Sequence, residues 1–269
     1  MSVLWLRVAA ALYCCGLLYA LIYIVTRSTR LFRPALTAFA VGTVFHLVAL
    51  VEFRIASGHL PLGNFYETSS TCAFLIAVAF LLAYSYYPIA IFGVCLFPLV
   101  CLMTLIGATE FPVASWSNPG TRNAWLVVHI ATVLVGYAAL ILSAVASIFY
   151  LLQEQQLKRK QVAPSANRLP PLATLDRIIT QSMNTGFVFI TVATVTGVVF
   201  ASIESGARWI ADPKIAFFLF TWAFYLAMIF LRTSAGWRGR RMAWLAVSVL
   251  ACSILTWATH VGFGNVLSR

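Results

Sequence analysis

Charge is what this sequence has least of. Only 9% of its 269 residues are Asp, Glu, Lys or Arg, against roughly 25% in an ordinary soluble domain. So little charge cannot cover a water-facing surface. With 62% hydrophobic residues and a mean hydropathy of +0.92, the chain is expected to be an integral membrane protein. Short alternating apolar segments are lacking as well, which argues against a transmembrane β-barrel and leaves the helix as the spanning element. No stretch is left for a soluble domain of any size, so residues 1–269 are expected to form a single transmembrane domain.

Cysteine patterning is equally scarce. Cys14, Cys15, Cys72, Cys95, Cys101 and Cys252 all fall inside apolar runs with no Cys-x-x-Cys pair. Neither a zinc site nor a disulfide framework is indicated, and each is expected to be a small core residue. The seven acidic residues avoid the centres of the apolar runs, and no inverted pair of broken helices is visible, which ranks a small-molecule transporter last. Basic residues outnumber acidic ones 18 to 7, a net charge of +11, but they sit in short clusters between apolar runs. That is topology information and not a nucleic-acid patch. No small-residue cleavage site follows the first apolar run, which is expected to stay as a membrane helix and not to be removed as a signal peptide.

What is present is a series of runs each about long enough to cross a hydrocarbon core of about 30 Å. They cover Leu4 to Thr26, Ala35 to Phe53, Thr68 to Tyr86, Pro88 to Ala108, Trp125 to Leu152, Met183 to Ser202, Ile215 to Leu231 and Met242 to Val261. Runs three and four are joined by little more than Tyr87 and Pro88 and must form a tight antiparallel pair. Run five is expected to continue as helix into Gln153–Lys160, protruding into water. Leu172 to Gln181, with Asp176 and Arg177, has the pattern of a short amphipathic helix leading into run six. The fold class is therefore all-α, a bundle of about eight transmembrane helices.

Eight spans put both termini on one side. The links after spans one, five and seven, with their near flanks, hold Arg27, Arg30, Arg33, Lys158, Arg159, Lys160, Arg168, Arg177, Arg232, Arg238, Arg240 and Arg241, twelve of the eighteen basic residues. The positive-inside rule makes that side cytoplasmic and both termini outer, or periplasmic. On this topology all four histidines come near the outer face: His46 in span two, His59 in a link, His129 a turn inside span five, and His260 at the end of span eight. A lone intramembrane histidine is commonly a hydrogen-bonded packing residue. Two from different helices at similar depth are what an axial haem ligand pair needs. Trp116, Trp125, Trp209, Phe65 and Tyr66 could cover such a ring or form an interfacial belt. The outer link Glu204–Lys214, Glu-Ser-Gly-Ala-Arg-Trp-Ile-Ala-Asp-Pro-Lys, sets four charges between two apolar runs and has the content of either a plain loop or a working face.

Several stretches together resemble one family. Ser57-Gly58-His59-Leu60-Pro61-Leu62-Gly63-Asn64-Phe65-Tyr66-Glu67 resembles an outer-loop motif of the cytochrome c assembly membrane proteins, in the CcsA/ResC branch that also includes HemX-like and YpjD-like members. Trp125-Leu126-Val127-Val128-His129, with Gly136-Tyr137-Ala138-Ala139-Leu140, resembles the helix carrying that family's outer haem-ligand histidine. Tyr150–Glu154, Leu157–Lys160, Leu169–Leu172 and Leu175-Asp176-Arg177 are similar to a link of the shorter YpjD-like members, and Gly236-Trp237-Arg238-Gly239-Arg240-Arg241 to the basic turn before the last helix. The similarity covers nearly the whole chain.

The resemblance implies haem handling at the outer face of a bacterial inner membrane, with haem b as cofactor or cargo. It makes Glu204–Lys214 the counterpart of the family's tryptophan-rich, WWD-like loop, which presents haem to apocytochrome. His129 would be an axial ligand, with His260 or His46 opposite. Trp209 would stack on the porphyrin, Arg208 or Lys214 would pair with its propionates, and Asp212 and Pro213 keep the loop's ending. Partners implied are membrane lipid, haem, a CcsB/ResB-like protein and apocytochrome c. The chain departs from the pattern where Ala211 replaces a tryptophan, where Phe230 stands at an intramembrane histidine position, and where the end Asn265–Arg269 lacks an outer histidine. The resemblance therefore stops short of a complete haem lyase, and a HemX-like scaffold stabilising another membrane complex is the alternative.

Overall fold

The computed structural model describes residues 2–26, 29–109, 124–159, 170–205 and 213–261, and of Thr29, Ala124, Glu204, Ser205, Pro213, Lys214 and residues 257–261 only the backbone. Among them are eight long helices: α1 (Ser2–Thr26), α2 (Phe32–Ser57), α3 (Phe65–Tyr86), α4 (Ala90–Gly107), α5 (Ala124–Lys158), α6 (Leu172–Ser205), α7 (Pro213–Thr233) and α8 (Arg240–Val261). No strand occurs among the described residues. Seven helices, α1 to α7, are long and apolar enough to cross a membrane. The eighth has a similar length of 22 residues but opens on Arg240 and Arg241.

Length shows which helices leave the bilayer. At 1.5 Å per residue, the 35 residues of α5 and the 34 of α6 run to about 50 Å each, well beyond a core of about 30 Å. The protruding helix expected after Leu152 is thus the last turns of α5. The short amphipathic segment expected at Leu172–Gln181 is no separate helix; it is the continuous beginning of α6.

The chain divides into two compact units, Met1–Thr121 and Arg122–Arg269. In the first, α1 packs on α2 and α4, and α3 on α4, with only residues 87–89 between α3 and α4. Its core is aromatic: Phe39 and Phe97 stack at 4.0 Å, and Phe80 meets Phe97 edge-on at 5.3 Å. Lipid offers apolar side chains no less than a protein core does, so helices associate where backbones can approach closely. Gly16 and Gly42 do this for α1 and α2, since a Cβ at Gly16 would lie 3.1 Å from the Ala35 carbonyl. The Cys14 and Cys101 thiols meet between α1 and α4 at 2.7 Å, a contact that the cysteine spacing does not reveal.

The second unit pairs α5 with α6 and with α8, and α7 with α8 and α6. Leu140, Met183, Ile190, Tyr225, Met228, Met242, Ala246 and Val249 fill its interior. Large apolar residues remain on the outside, among them Val195, Phe220 and Leu255, as a lipid-facing surface requires.

Candidate functional site: a histidine held at one end of the second unit

His129 lies in the second turn of α5, half-buried against α6 and α7. Its Nδ1 is 2.7 Å from the carbonyl oxygen of Ala193 in α6. A carbonyl can only accept, so Nδ1 carries the proton and donates, and the ring lone pair belongs to Nε2. Ala193 and Gly197 stand four residues apart on α6, and Gly197 offers no side chain to bar the approach. A Cβ there would come within 2.6 Å of both Cε1 and Nδ1 of the ring. Phe218 of α7 meets the imidazole edge-on at 5.9 Å. A histidine donating its other N–H to a backbone carbonyl, with the ring orientation fixed, is the arrangement of metal-bound imidazoles.

The helices around His129 converge at one end of this unit. The Tyr137 hydroxyl of α5 donates to the Ser253 carbonyl of α8 at 3.4 Å, and Tyr150 of α5 sits against Gly239 just before α8, so the two helices are antiparallel. Moving eight residues from Tyr137 back to His129, and eight from Ser253 on to Val261, brings His129 level with the last two residues of α8, His260 and Val261. α7 and α8 keep a matching level through the hydroxyls of Thr221 and Thr256, 2.7 Å apart. The link between α6, ending at Ser205, and α7, beginning at Pro213, joins the helices at this same end. Arg208, Trp209 and Asp212 of that link lie outside the described residues, as does Trp116; Lys214 is the second residue of α7.

His46 is placed quite differently. It is fully buried in the first unit, with Nε2 2.9 Å from Ser70 Oγ and Nδ1 3.4 Å from the Tyr13 hydroxyl. Tyr13 also donates to Thr43 Oγ1 at 3.3 Å. These hydroxyls engage both ring nitrogens, as expected of a packing histidine. His59 directs Nδ1 to its neighbour's carbonyl, at Leu60, 2.9 Å away. Glu67 caps α3: its carboxylate accepts from Gly63 N at 2.7 Å and Asn64 Nδ2 at 2.8 Å, while Asn64 Oδ1 accepts from Glu67 N at 2.9 Å. That reciprocal bonding is a variant of the capping box, in which the carboxylate reaches the backbone of the residue before the cap. Gly58 ends α2 at φ 73°, a left-handed conformation that glycine adopts without strain.

Phe230, which the family resemblance sets where a histidine is expected, is 60% exposed on α7. It faces out of the unit. Among the described residues no group of three or more His, Cys, Asp or Glu could hold a metal ion.

Sequence reasoning missed Gly197, Ala193 and Phe218, which make His129 a fixed ring, and it missed the clamp at the opposite end. There Arg232, near the end of α7, makes a two-pronged contact with Asp176 of α6, Nη1 to Oδ1 at 2.9 Å and Nη2 to Oδ2 at 2.7 Å. It also donates to Thr180. Gly239 N reaches Asp176 Oδ1 at 3.4 Å, and the Arg241 guanidinium lies 5.3 Å over the Trp237 ring. The Leu-Asp-Arg and Gly-Trp-Arg-Gly-Arg-Arg stretches thus meet as one network. The signal available was a lone Asp near the start of a span and a lone Arg at the end of another.

Comparison with known proteins bears on the whole chain. The family profile described as Cytochrome C assembly protein matches residues 5–259. The chain is similar to the cytochrome c biogenesis protein CcsA of Prochlorococcus marinus subsp. pastoris (strain CCMP1986 / NIES-2087 / MED4), 30% identical over 238 residues, 78% of this chain and 76% of that one. It is 27% identical over 220 residues to the CcsA of Synechococcus sp. (strain CC9311), covering 71% and 72%. With the CcsA of Parasynechococcus marenigrum (strain WH8102) it shares 28% over 240 residues, covering 77% and 79%. Because the match runs through both helical units, this multi-pass membrane protein belongs to the cytochrome c assembly family, in its CcsA branch.

Proposed function

We propose that the protein acts in cytochrome c biogenesis by binding haem at the His129 end of its second unit and presenting it at the outer membrane face. The observation that carries this reading is the His129 imidazole, whose Nδ1–H is given to the Ala193 carbonyl across Gly197. The ring is thereby oriented as imidazoles that hold iron are. His260 would hold the haem together with His129, supported by the register that brings the end of α8 level with His129. Trp209 stacks on the porphyrin, Arg208 and Lys214 pair with the propionate carboxylates, and Asp212 belongs to the same link. The haem is haem b, and both chain termini share its outer side, in accord with the basic residues at the other end of the second unit and with the positive-inside rule. A CcsB/ResB-like partner and apocytochrome c complete the assembly. Bound haem supplies the iron and vinyl chemistry; the chain orients the ring and screens it from water.

The test is an absorption spectrum of the detergent-purified protein, oxidised and reduced, for the wild type, His129→Ala and His260→Ala. A six-coordinate Soret band and a sharp α band in the wild type, both lost in His129→Ala, are expected. Purification at full yield with no haem band, even after haem supplementation, would overturn the reading. One observation favours a second one: Phe230, where the family carries a histidine, is exposed on α7. That fits a scaffold that binds no haem and stabilises another membrane complex, which a haem-free spectrum would put in front.

A further inference from the structure

At the end of the second unit far from His129 lies a cavity of about 390 Å³ between the last turns of α5 and the start of α8. Its rim is cationic: Lys158, Arg159 and Arg240 border it, against a single carboxylate, Glu154, which is tied to Lys158 at 2.7 Å. Three cations and one anion leave an excess of two positive charges. Arg240 is also the first residue of α8, a 22-residue helix, whose opening amides and dipole favour an anion at this point. Below the rim the lining turns apolar. Leu151 belongs to the last apolar turn of α5, and Trp244, one turn into α8, is 54% exposed.

A cluster of basic residues that serves only to orient a membrane protein needs neither a cavity nor an aromatic floor. A cationic rim over an apolar, tryptophan-bearing wall matches instead a molecule with a phosphate at one end and hydrocarbon at the other. We propose that this cavity is a binding site for an anionic phospholipid of the phosphatidylglycerol class. Arg159 and Arg240 receive the phosphodiester, and an acyl chain runs past Leu151 and Trp244. Lys158 contributes less, because Glu154 already holds it. A soluble phosphate would use the same cations but would have no use for the exposed indole, which favours the lipid as the source.

The experiment is native mass spectrometry of the full chain in mild detergent, titrated with phosphatidylglycerol or with phosphatidylcholine of the same acyl chains. The wild type is expected to retain phosphatidylglycerol preferentially. The Arg159→Gln/Arg240→Gln variant is expected to bind it about 25-fold more weakly, at roughly fivefold per basic residue near a membrane surface. An Arg30→Gln/Arg33→Gln variant, which removes as much charge from the first unit, is expected to bind it like the wild type. If the double variant at the cavity does not fold, Arg159→Gln alone decides, with about a fivefold loss. Equal retention of both lipids by the wild type, or an equal loss in the Arg30/Arg33 control, would overturn the proposal. So would full displacement of phosphatidylglycerol by millimolar inorganic phosphate, which would make the site one for a phosphate taken from water.

Discussion

A single missing side chain decides the geometry at His129. Gly197 lies in the middle of a helix, where glycine costs about 1 kcal/mol relative to alanine, and lipid-facing packing gives no reason for it. The reason is the ring: a Cβ at this position would stand 2.6 Å from Cε1 and Nδ1 of His129, and the imidazole could no longer reach the Ala193 carbonyl. In Gly197→Ala the gain in helix propensity, about 1 kcal/mol, opposes an overpacking cost of about 1–3 kcal/mol. Net stability is therefore expected to change by no more than about 2 kcal/mol, while the His129 ring is displaced. Spectra of the purified variant are expected to show loss of the six-coordinate haem signature, with the melting temperature lowered by no more than about 8 °C. An unaltered spectrum in a folded Gly197→Ala protein would show that the ring's orientation is not what binds haem. His46 illustrates the contrary residue, an equally apolar setting in which hydroxyls of Tyr13 and Ser70 take both nitrogens.

Among elements, the clamp of Asp176 and Arg232 ties the beginning of α6 to the end of α7 and, through Gly239, to the turn before α8. The side chains are 23% and 11% exposed, so the pair is partly shielded from water and its paired hydrogen bonds are charge-assisted. Asp176→Asn leaves the guanidinium without its countercharge and is expected to destabilise the second unit by about 1.5–3 kcal/mol. The double variant Asp176→Asn/Arg232→Gln is expected to recover part of that, since it leaves no lone charge behind. Thermal unfolding of the wild type, Asp176→Asn, Arg232→Gln and the double variant in one detergent measures the coupling. Purely additive losses would mean that the pair contributes no interaction of its own. Gly239 takes part for a conformational reason, with φ at 65° and the Tyr150 hydroxyl where a Cβ would project, 2.7 Å away.

For the whole molecule the open matter is orientation. Among the described residues seven helices can cross a membrane by length and composition, and an eighth accompanies them. Within the second unit, Lys158, Arg159, Arg232, Arg238, Arg240 and Arg241 lie at the end that carries the Asp176–Arg232 clamp and the cavity at Arg240, while His129, the end of α6 and the start of α7 lie at the other. With the positive-inside rule, both termini are expected on the periplasmic side. Alkaline phosphatase fused after Arg269 is expected to be active, and a green fluorescent protein fused there dark. The reverse pattern would put the His129 end in the cytoplasm and remove presentation of haem at the outer face.

The sequence by itself determined the membrane class, the helical architecture and nearly every span. Hydrophobic length and the scarcity of charge are properties of local stretches, and a bilayer of fixed thickness reads them one run at a time. It also pointed to His129 and to the family, through motifs that stay contiguous in the chain. Only the tertiary structure decided that His129 is held by Ala193 across Gly197 and that His46 is bound up in a buried hydroxyl network. It alone showed that Asp176 and Arg232, 56 residues apart, form one ion pair, and that Glu67 caps its helix and is no free carboxylate. Each of these depends on which faces of different helices meet. In a chain where almost every helix is apolar all round, hydrophobic patterning does not mark those faces; glycines and hydroxyls do, and their partners appear only once the helices have packed.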